Sequence, residues 1–394
     1  MSKNKIKEIL TRGVEEVIMK ESLEKKLLSG RKLRIKHGVD PTSPYLHLGN
    51  AIPLWKLKQF QDLGHRIVLI VGDFTARIGD TSDKTSQRPA LSKQEVERNM
   101  RDYKKQIGKI LDIRKTEFVY NSKWLSRLSL SKIVKLASNF TVAQMLEREN
   151  FMERYQSKKP IGLQEFIYPL MQGYDSVIVK ADVEVGGTDQ IFNMLAGRTI
   201  QRYFGQNPQD VITLTLIEGT DGGKMSKSLG NVISLTDSPD EMYGKIMSMK
   251  DELIIKYFIL CTQVSLSEIE KIETSLKNGA NPRDVKARLA KEIVSLYYGK
   301  KIAKRAEEEF NRIFKEHKIP DKIPSFKFEA SKINILDLLV KTKLVFSKSE
   351  AKRLIEQKGV KINNSPVEDW KKEIELRDGM VVSIGRRKFV RIIH

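Results

Sequence analysis

Leu33-Arg34-Ile35-Lys36-His37-Gly38-Val39 runs into Asp40-Pro41-Thr42-Ser43-Pro44, and His47-Leu48-Gly49-Asn50 follows after two residues. The first seven residues alternate as a strand does. The turn with its two prolines breaks them, and a helix then opens and runs to about Leu63. Gly64 stops that helix, and Arg66 to Val71 is an apolar run suited to a buried parallel strand. Strand, turn, helix, strand is the unit of a doubly wound α/β sheet. Ligands of such sheets bind at the carboxyl ends of the strands, which places residues 40–50 at the site.

On the N-terminal side, residues 1–32 read as helical, the stretch from Val14 to Met19 included. On the other side comes a long Gly/Asp/Thr/Ser-rich loop, 72–90. Ser92 and Glu95 then form a capping box that opens a helix to about Leu111. A strand is predicted over 116–120, helices over 131–137, 142–155 and 162–174, and a strand-rich stretch over 176–185. A helix over 189–204 and a last strand over 211–217 follow. This alternation predicts one Rossmann-like catalytic domain over 1–235. Residues 236–318 carry only helical periodicity and predict an all-α domain. Residues 319–332, with Pro320 and Pro324, read as a linker, and 333–394 as a small, basic α+β domain.

Composition narrows the function classes. Among 394 residues, 71 Lys and Arg face 50 Asp and Glu, a formal charge of +21. That balance points to a polyanionic partner, nucleic acid first, without separating RNA from DNA. No run of 18 apolar residues suggests a membrane span. The charged N-terminal stretch argues against a secretory signal, so a cytoplasmic protein is expected. Cys261 is the single cysteine, so no internal disulfide and no dedicated metal site are expected.

Two stretches carry chemistry. Gly222-Gly223-Lys224-Met225-Ser226-Lys227-Ser228 sets two lysines three apart behind a glycine pair, in a loop from about Glu218 to Asn231. It is no Walker loop, because position 218 is Glu and Met follows Lys224. Two ammonium groups there can meet an anion whose charge grows during a reaction, or form a solvated basic loop. At His47-Leu48-Gly49-Asn50, helix-start N–H groups favour an anion, and Gly49 lets a nucleotide approach the backbone. On the predicted helix 162–174, Leu163, Phe166, Ile167, Leu170 and Met171 form a core face. Tyr168, Gln172 and Asp175 fall at i, i+4 and i+7 on another. That second face reads as a solvated stripe or as the polar end of a pocket.

The Lys-Met-Ser-Lys-Ser loop and the His-x-Gly-Asn turn, at opposite ends of one α/β domain, resemble the two signatures of class I aminoacyl-tRNA synthetases. Tyr168-Pro-Leu-Met-Gln-Gly-Tyr-Asp175 resembles the substrate helix of the tyrosyl-tRNA synthetases, and Gly186-Gly187-Thr188-Asp189-Gln190 matches a further segment of that family. The resemblance implies that His47, Asn50, Thr42, Lys224 and Lys227 serve activation, with Lys84 and Arg88 as further mobile cations. ATP would meet His47, Gly49, Gly187, Asp189 and Lys227. Tyr168, Gln172 and Asp80 would meet the amino end of L-tyrosine, and Asp175 its phenol. Thr75, Asn121, Gln190 and Lys36 would complete the pocket. Lys36 stands where many members carry Tyr, Glu184 where many carry Gln, and Asn50 where the signature usually ends in His. An amide there can hydrogen-bond but cannot carry a proton.

The last segment resembles an RNA-binding fold first seen in a ribosomal protein. Lys348, Lys352, Arg353, Arg386 and Arg387 are its implied RNA contacts. The implied partners are tRNA(Tyr), L-tyrosine, ATP and a second copy of the chain, with no membrane. ATP would act as substrate with Mg²⁺, and no tightly bound cofactor is implied. A tryptophan-specific relative, another nucleotidyltransferase and a non-catalytic RNA-binding protein are the rival readings. Gln172 with Asp175, and the basic tail, speak against the tryptophan-specific relative.

Overall fold

Six strands form one sheet in a computed structural model of the chain: β1 (Val14–Ile18), β2 (Arg34–Val39), β3 (Arg66–Val71), β4 (Thr116–Tyr120), β5 (Val183–Gly187) and β6 (Asp210–Leu214). Their order is β1-β6-β5-β2-β3-β4, parallel throughout except for β1, which runs antiparallel to β6. Central β3 is buried along all but its first residue, as a parallel strand covered on both faces must be. The structure describes residues 3–80, 91–226, 229–314, 323–328, 330–363, 365–385 and 388–394. Lys84, Arg88, Lys227, Arg386 and Arg387 of the expected site residues lie outside that set.

Strand order reverses between β2 and β5. These two strands pair only at Ile35–Val183 and Lys36–Glu184. Beyond that point their carboxyl ends are free to line a crevice, the place where doubly wound sheets bind ligands. The helices Leu163–Ile178 and Ile191–Tyr203 pack against each other. Gly173 sits at that contact, where a Cβ would come within 2.7 Å of Ile200.

The N-terminal expectation needs correction. Val14–Ile18 is an edge strand between the helices Lys3–Thr11 and Lys20–Leu28. Gly13, at φ +62°, ends the first helix, and β-branched residues then pair with β6. The 176–185 stretch also differs. The helix continues to Ile178, Lys180 reverses the chain at φ +49°, and β5 starts only at Val183. The helix opened by Ser92 ends at Met100, and a short helix Tyr103–Ile107 follows.

The chain divides into two compact units, Met1–Ala303 and Lys304–His394. The helices Pro239–Met247, Ile254–Cys261, Leu266–Lys277 and Pro282–Tyr298 belong to the first. Arg12 ties the N-terminal helix to them. Its guanidinium donates to the carbonyls of Ile259 (2.9 Å), Val264 (2.6 Å), Phe258 (3.1 Å) and Thr262 (2.7 Å). These include carbonyls left open at a helix C-terminus, where a cation is favourable.

In the second unit, β7 (Ser325–Lys327), β8 (Lys332–Asn334), β9 (Val360–Ile362), β10 (Ser365–Pro366), β11 (Glu373–Glu375), β12 (Val381–Ile384) and β13 (Lys388–Ile393) form two small sheets. Leu338, Ala351, Val360, Val382 and Ile392 sit in its core. Part of the stretch read as a linker is structured: β7 pairs parallel with β13, and β8 antiparallel with β11.

Candidate active site

The crevice at the ends of β2 and β5 is a cavity of about 700 Å³. Every described residue of the expected catalytic, tyrosine and ATP sets lines it. Lys36, Gln172, Asp175, Thr75, Asn121, Tyr168, Asp80 and Gln190 are there. So are Thr42, His47, Gly49, Asn50, Gly187, Asp189 and Lys224. Tyr168, Gln172 and Asp175 thus form the wall of a pocket and no solvated stripe.

At the buried end, one polar chain runs across four elements. Trp124 Nε1 donates to Asp175 Oδ1 at 2.6 Å, and Asn121 Nδ2 to Asp175 Oδ2 at 3.2 Å. Asn121 Nδ2 also meets Thr75 Oγ1 at 3.0 Å, and its Oδ1 accepts from the Phe74 N–H at 3.0 Å. Thr75 Oγ1 donates to Asp40 Oδ1 at 2.7 Å, and the Tyr168 hydroxyl donates to Asp40 Oδ2 at 2.9 Å. Gly72 makes room for this, since a Cβ there would lie 1.9 Å from Asp40 Oδ1. Burial pushes the Asp175 carboxyl up to about 7, against the opposing pull of Lys36 and of its two donors. Burial, helped by Asp40, holds the Tyr168 phenol well above its ordinary range.

Beneath lies an ion pair between partners in the strand register. Lys36 and Glu184 are 1% and 2% exposed, with Nζ 2.9 Å from Oε1. Lys36 also donates to the Gln172 carbonyl (2.9 Å) and Ser176 Oγ (2.7 Å), so all three ammonium protons are engaged. Glu184 further accepts from Gln172 Nε2 at 3.1 Å, from Ser176 Oγ at 3.3 Å and from Gln209 Nε2. The structure therefore sets Gln172 beside Glu184. Asp80 is met instead by Gln190 Nε2 at 2.7 Å and by the Arg148 guanidinium at 3.9 Å.

At the exposed end, His47 and the lysine loop meet. The Leu48 N–H donates to the Ile233 carbonyl (3.0 Å) and the Leu235 N–H to the Leu46 carbonyl (2.8 Å), so the two motifs share a backbone ladder. Asn50 has a role here: its Oδ1 accepts from the His47 N–H at 3.1 Å and caps the Leu48–Asp62 helix. Gly49 lies between the loop and the histidine, where a Cβ would stand 3.1 Å from the His47 ring and 3.3 Å from Met225 Sδ.

Asn231 holds the base of the lysine loop. Its Nδ2 donates to the Lys224 carbonyl (3.0 Å) and to Asp221 Oδ1 (2.8 Å), and its Oδ1 accepts from the Ser226 N–H (2.8 Å). The Lys224 side chain stays exposed. The sequence reading gave no role to Asp40, Trp124, Arg148 or Asn231. Asp40, directly after β2, was discernible by place, since the sequence set residues 40–50 at the site. Trp124 and Arg148 come from segments whose approach to the site only tertiary packing sets.

In the second unit, Ser347 caps the helix Lys348–Glu356. Lys348 pairs with Asp337 at 2.6 Å. Lys352 lies over the Trp370 ring at 4.3 Å, and Arg353, next on the helix, is exposed.

A family model described as tRNA synthetases class I (W and Y) matches residues 28–315, and one described as a tyrosine–tRNA ligase C-terminal domain matches 315–392. A tyrosine–tRNA ligase of Thermotoga maritima is 50% identical over 98% of this chain and 96% of its own length. One of Moorella thermoacetica is 47% identical over 98% and 94%. A C-terminally truncated mitochondrial tyrosyl-tRNA synthetase of Aspergillus nidulans shares the fold, with a TM-score of 0.66 at 22% identity over 79% of this chain and 95% of that one. With identity near one half along almost its whole length, the chain belongs to the tyrosine–tRNA ligase family of class I tRNA synthetases.

Proposed function

We propose that the protein activates L-tyrosine with ATP and transfers it to tRNA(Tyr). In the first step a tyrosine carboxylate oxygen attacks the α-phosphorus, forming tyrosyl-adenylate, and pyrophosphate leaves. In the second, a terminal ribose hydroxyl of the tRNA attacks the activated carbonyl, and AMP leaves. Neither step needs a nucleophile from the protein. Positioning and stabilisation of the charge on phosphorus do the work.

The observation that carries this reading is one cavity holding Asp175 at its buried end and His47 with Lys224 at its exposed end. Asp175 accepts the phenol hydrogen, with Trp124 and Asn121 fixing its two oxygens. Lys36 and Glu184 form the floor and touch the substrate little, because their polar atoms are already engaged. Asp80, with Gln190 beside it and Tyr168 near, receives the α-ammonium group. Asp189 and Gly187 take the ribose side of ATP, and His47, Thr42 and Lys224 face its phosphates. Lys227, Lys84 and Arg88 keep the roles their motif positions imply.

Among the described residues no three His, Cys, Asp or Glu are grouped to hold a metal, so Mg²⁺ would arrive on the triphosphate. The second unit binds tRNA through Lys348, Lys352, Arg353, Arg386 and Arg387.

Leu130, Val134, Val142 and Leu163 are exposed on neighbouring helices of the first unit. They suit the self-complementary face of a symmetric dimer, and sedimentation at twice the chain mass tests that. A cytoplasmic location fits a chain in which no described helix is long and apolar enough to cross a membrane. ATP–pyrophosphate exchange assayed with each of the twenty amino acids tests the main reading. Exchange with tyrosine is the expected result; exchange with tryptophan alone, or with none, would sink it.

A further inference from the structure

After the helix Ile335–Lys341, the second unit makes a turn whose three apolar residues are treated differently. Lys343 takes a left-handed conformation at φ +58°. The N–H groups of Leu344 and Val345 both point to the Leu339 carbonyl, at 3.1 and 3.3 Å, and both side chains are buried. Phe346, the next residue, is 93% exposed. Among the residues of this unit whose side chains are described, it is the one exposed Phe, Tyr or Trp.

The ring is presented on a fixed backbone. The Phe346 N–H donates to Glu350 Oε2 at 2.9 Å, and Ser347 Oγ accepts from the Glu350 N–H at 3.2 Å. An apolar residue in this position before a helix commonly folds down onto the first turn as a staple. Here the facing position is Ala351, already fully buried, and the phenyl group stays in water. Leaving a phenylalanine outside forgoes the stabilisation its burial would give.

Lysines lie close to it in sequence and at the same turn. Lys343 and Lys348 flank it in sequence, and Lys388 donates to the Leu344 carbonyl at 2.9 Å, which brings the start of β13 to the same turn. Elsewhere in the unit, Trp370 carries Lys352 and Lys371 over its ring at 4.3 and 5.2 Å.

We propose that Phe346 is a stacking platform for an unpaired base of the bound RNA, with Lys343, Lys348 and Lys388 meeting the phosphates on either side. The proposal rests on the reading of this unit as RNA-binding and adds its base-contacting residue. Unpaired bases are the parts of an RNA that aromatic side chains recognise, and a ring among lysines combines stacking with charge. Stacking is sequence-tolerant, so Phe346 supplies affinity and registers the strand.

Binding of a tRNA(Tyr) transcript to the full chain, measured across salt concentrations, tests it. Stacking of one base is worth about 1–3 kcal/mol on alanine substitution. Phe346→Ala should therefore weaken binding roughly 5- to 150-fold while leaving the slope of log affinity against log salt unchanged. Phe346→Trp should bind like the parent, and Phe346→Leu should resemble the alanine variant. Replacing Lys343 and Lys348 by Gln should weaken binding and flatten the slope. Tyrosine-dependent pyrophosphate exchange and the melting temperature should stay unchanged in the Phe346 variants. If Phe346→Ala or Phe346→Leu binds like the parent while the lysine variant weakens, the stacking role is wrong and the RNA reading stands. If neither the Phe346 variants nor the lysine variant changes binding, the RNA reading of this surface falls as well, and the stacking role with it.

Discussion

At the buried end of the cavity every polar side chain is held by another: Asp175 by Trp124 and Asn121, Lys36 by Glu184, Asp40 by Thr75 and Tyr168. At the exposed end Lys224 extends from a loop whose backbone Asn231 secures while its side chain remains exposed. In the proposed reaction the first end would choose the substrate, and the second would follow a charge that exists only while phosphorus is being attacked. On that reading the chain buries the groups proposed to select tyrosine and keeps Lys224, its proposed catalytic cation, in reach of water. If this division is correct, substitutions at the two ends must separate in what they change.

The largest separation is expected at Lys224. Lys224→Ala should lower the exchange kcat by about 10²–10³, the usual cost of removing one charge-stabilising donor, with the dissociation constant for tyrosine within twofold of the parent. An equal loss in tyrosine binding would break the comparison, because Lys224 would then belong to the substrate pocket. Lys36 should behave in the opposite way. Lys36→Met leaves Glu184 buried without its counter-charge and should cost about 3–5 kcal/mol of stability in urea unfolding. The double change Lys36→Met with Glu184→Gln should recover much of that. A single variant as stable as the parent would mean that Glu184 takes up a proton at little cost.

The sequence made the exposed end easier to read than the buried one. His47 and Lys224 lie in stretches that glycines and helix-start geometry mark locally and that the α/β alternation placed at strand ends, although the lysine loop taken alone also fitted a solvated basic loop. The face of Tyr168, Gln172 and Asp175 was visible in helical spacing, yet spacing alone could not separate a wet stripe from a pocket wall. What decided it was β2 meeting β5 at Lys36–Glu184, a register between strands some 150 residues apart in sequence. The roles of Trp124 and Asn231 were illegible for a similar reason, since an indole N–H or a loop amide gains meaning only from the group it meets. Val14–Ile18 was misread because Val-Glu-Glu-Val-Ile satisfies a helical spacing as well as an edge strand does.

Asp175 offers a finer test through pH. Its carboxyl in the folded chain is pushed up to about 7 by burial, above the ordinary value of about 4. Below pH 4 both states bind the proton; as pH rises from 4 to 7 only the unfolded chain releases it, so stability of the free protein should fall across that window. Tyrosine binding should run the other way. The phenol bonds more strongly to a carboxylate than to a neutral acid, so affinity measured without ATP should rise as pH climbs towards 7, by up to roughly tenfold per unit. Asp175→Asn should flatten this profile and lose preference for tyrosine over phenylalanine. A flat profile in the parent chain would show that Asp175 is already ionised at pH 5.

The smallest effect is expected at Asn231, and it examines how far the exposed end is in fact organised. The residue is buried and joins three points of the loop: the Lys224 carbonyl, the Asp221 carboxylate and the Ser226 N–H. Asn231→Ala removes these bonds without touching any atom facing the cavity. Each is worth about 1 kcal/mol net, and a loop released at its base spends less time with Lys224 at the phosphate. The exchange kcat should fall about 5- to 10-fold, with the KM for tyrosine unchanged. Asn231→Asp sharpens the point. It keeps the acceptor for Ser226 but loses both donors and sets a second carboxylate against Asp221, so it should be at least as slow as the alanine variant. If both variants keep the parental kcat, the lysine loop needs no anchor. If KM for tyrosine rises instead, Asn231 acts on the shape of the whole cavity, and the two ends are coupled more tightly than their construction implies.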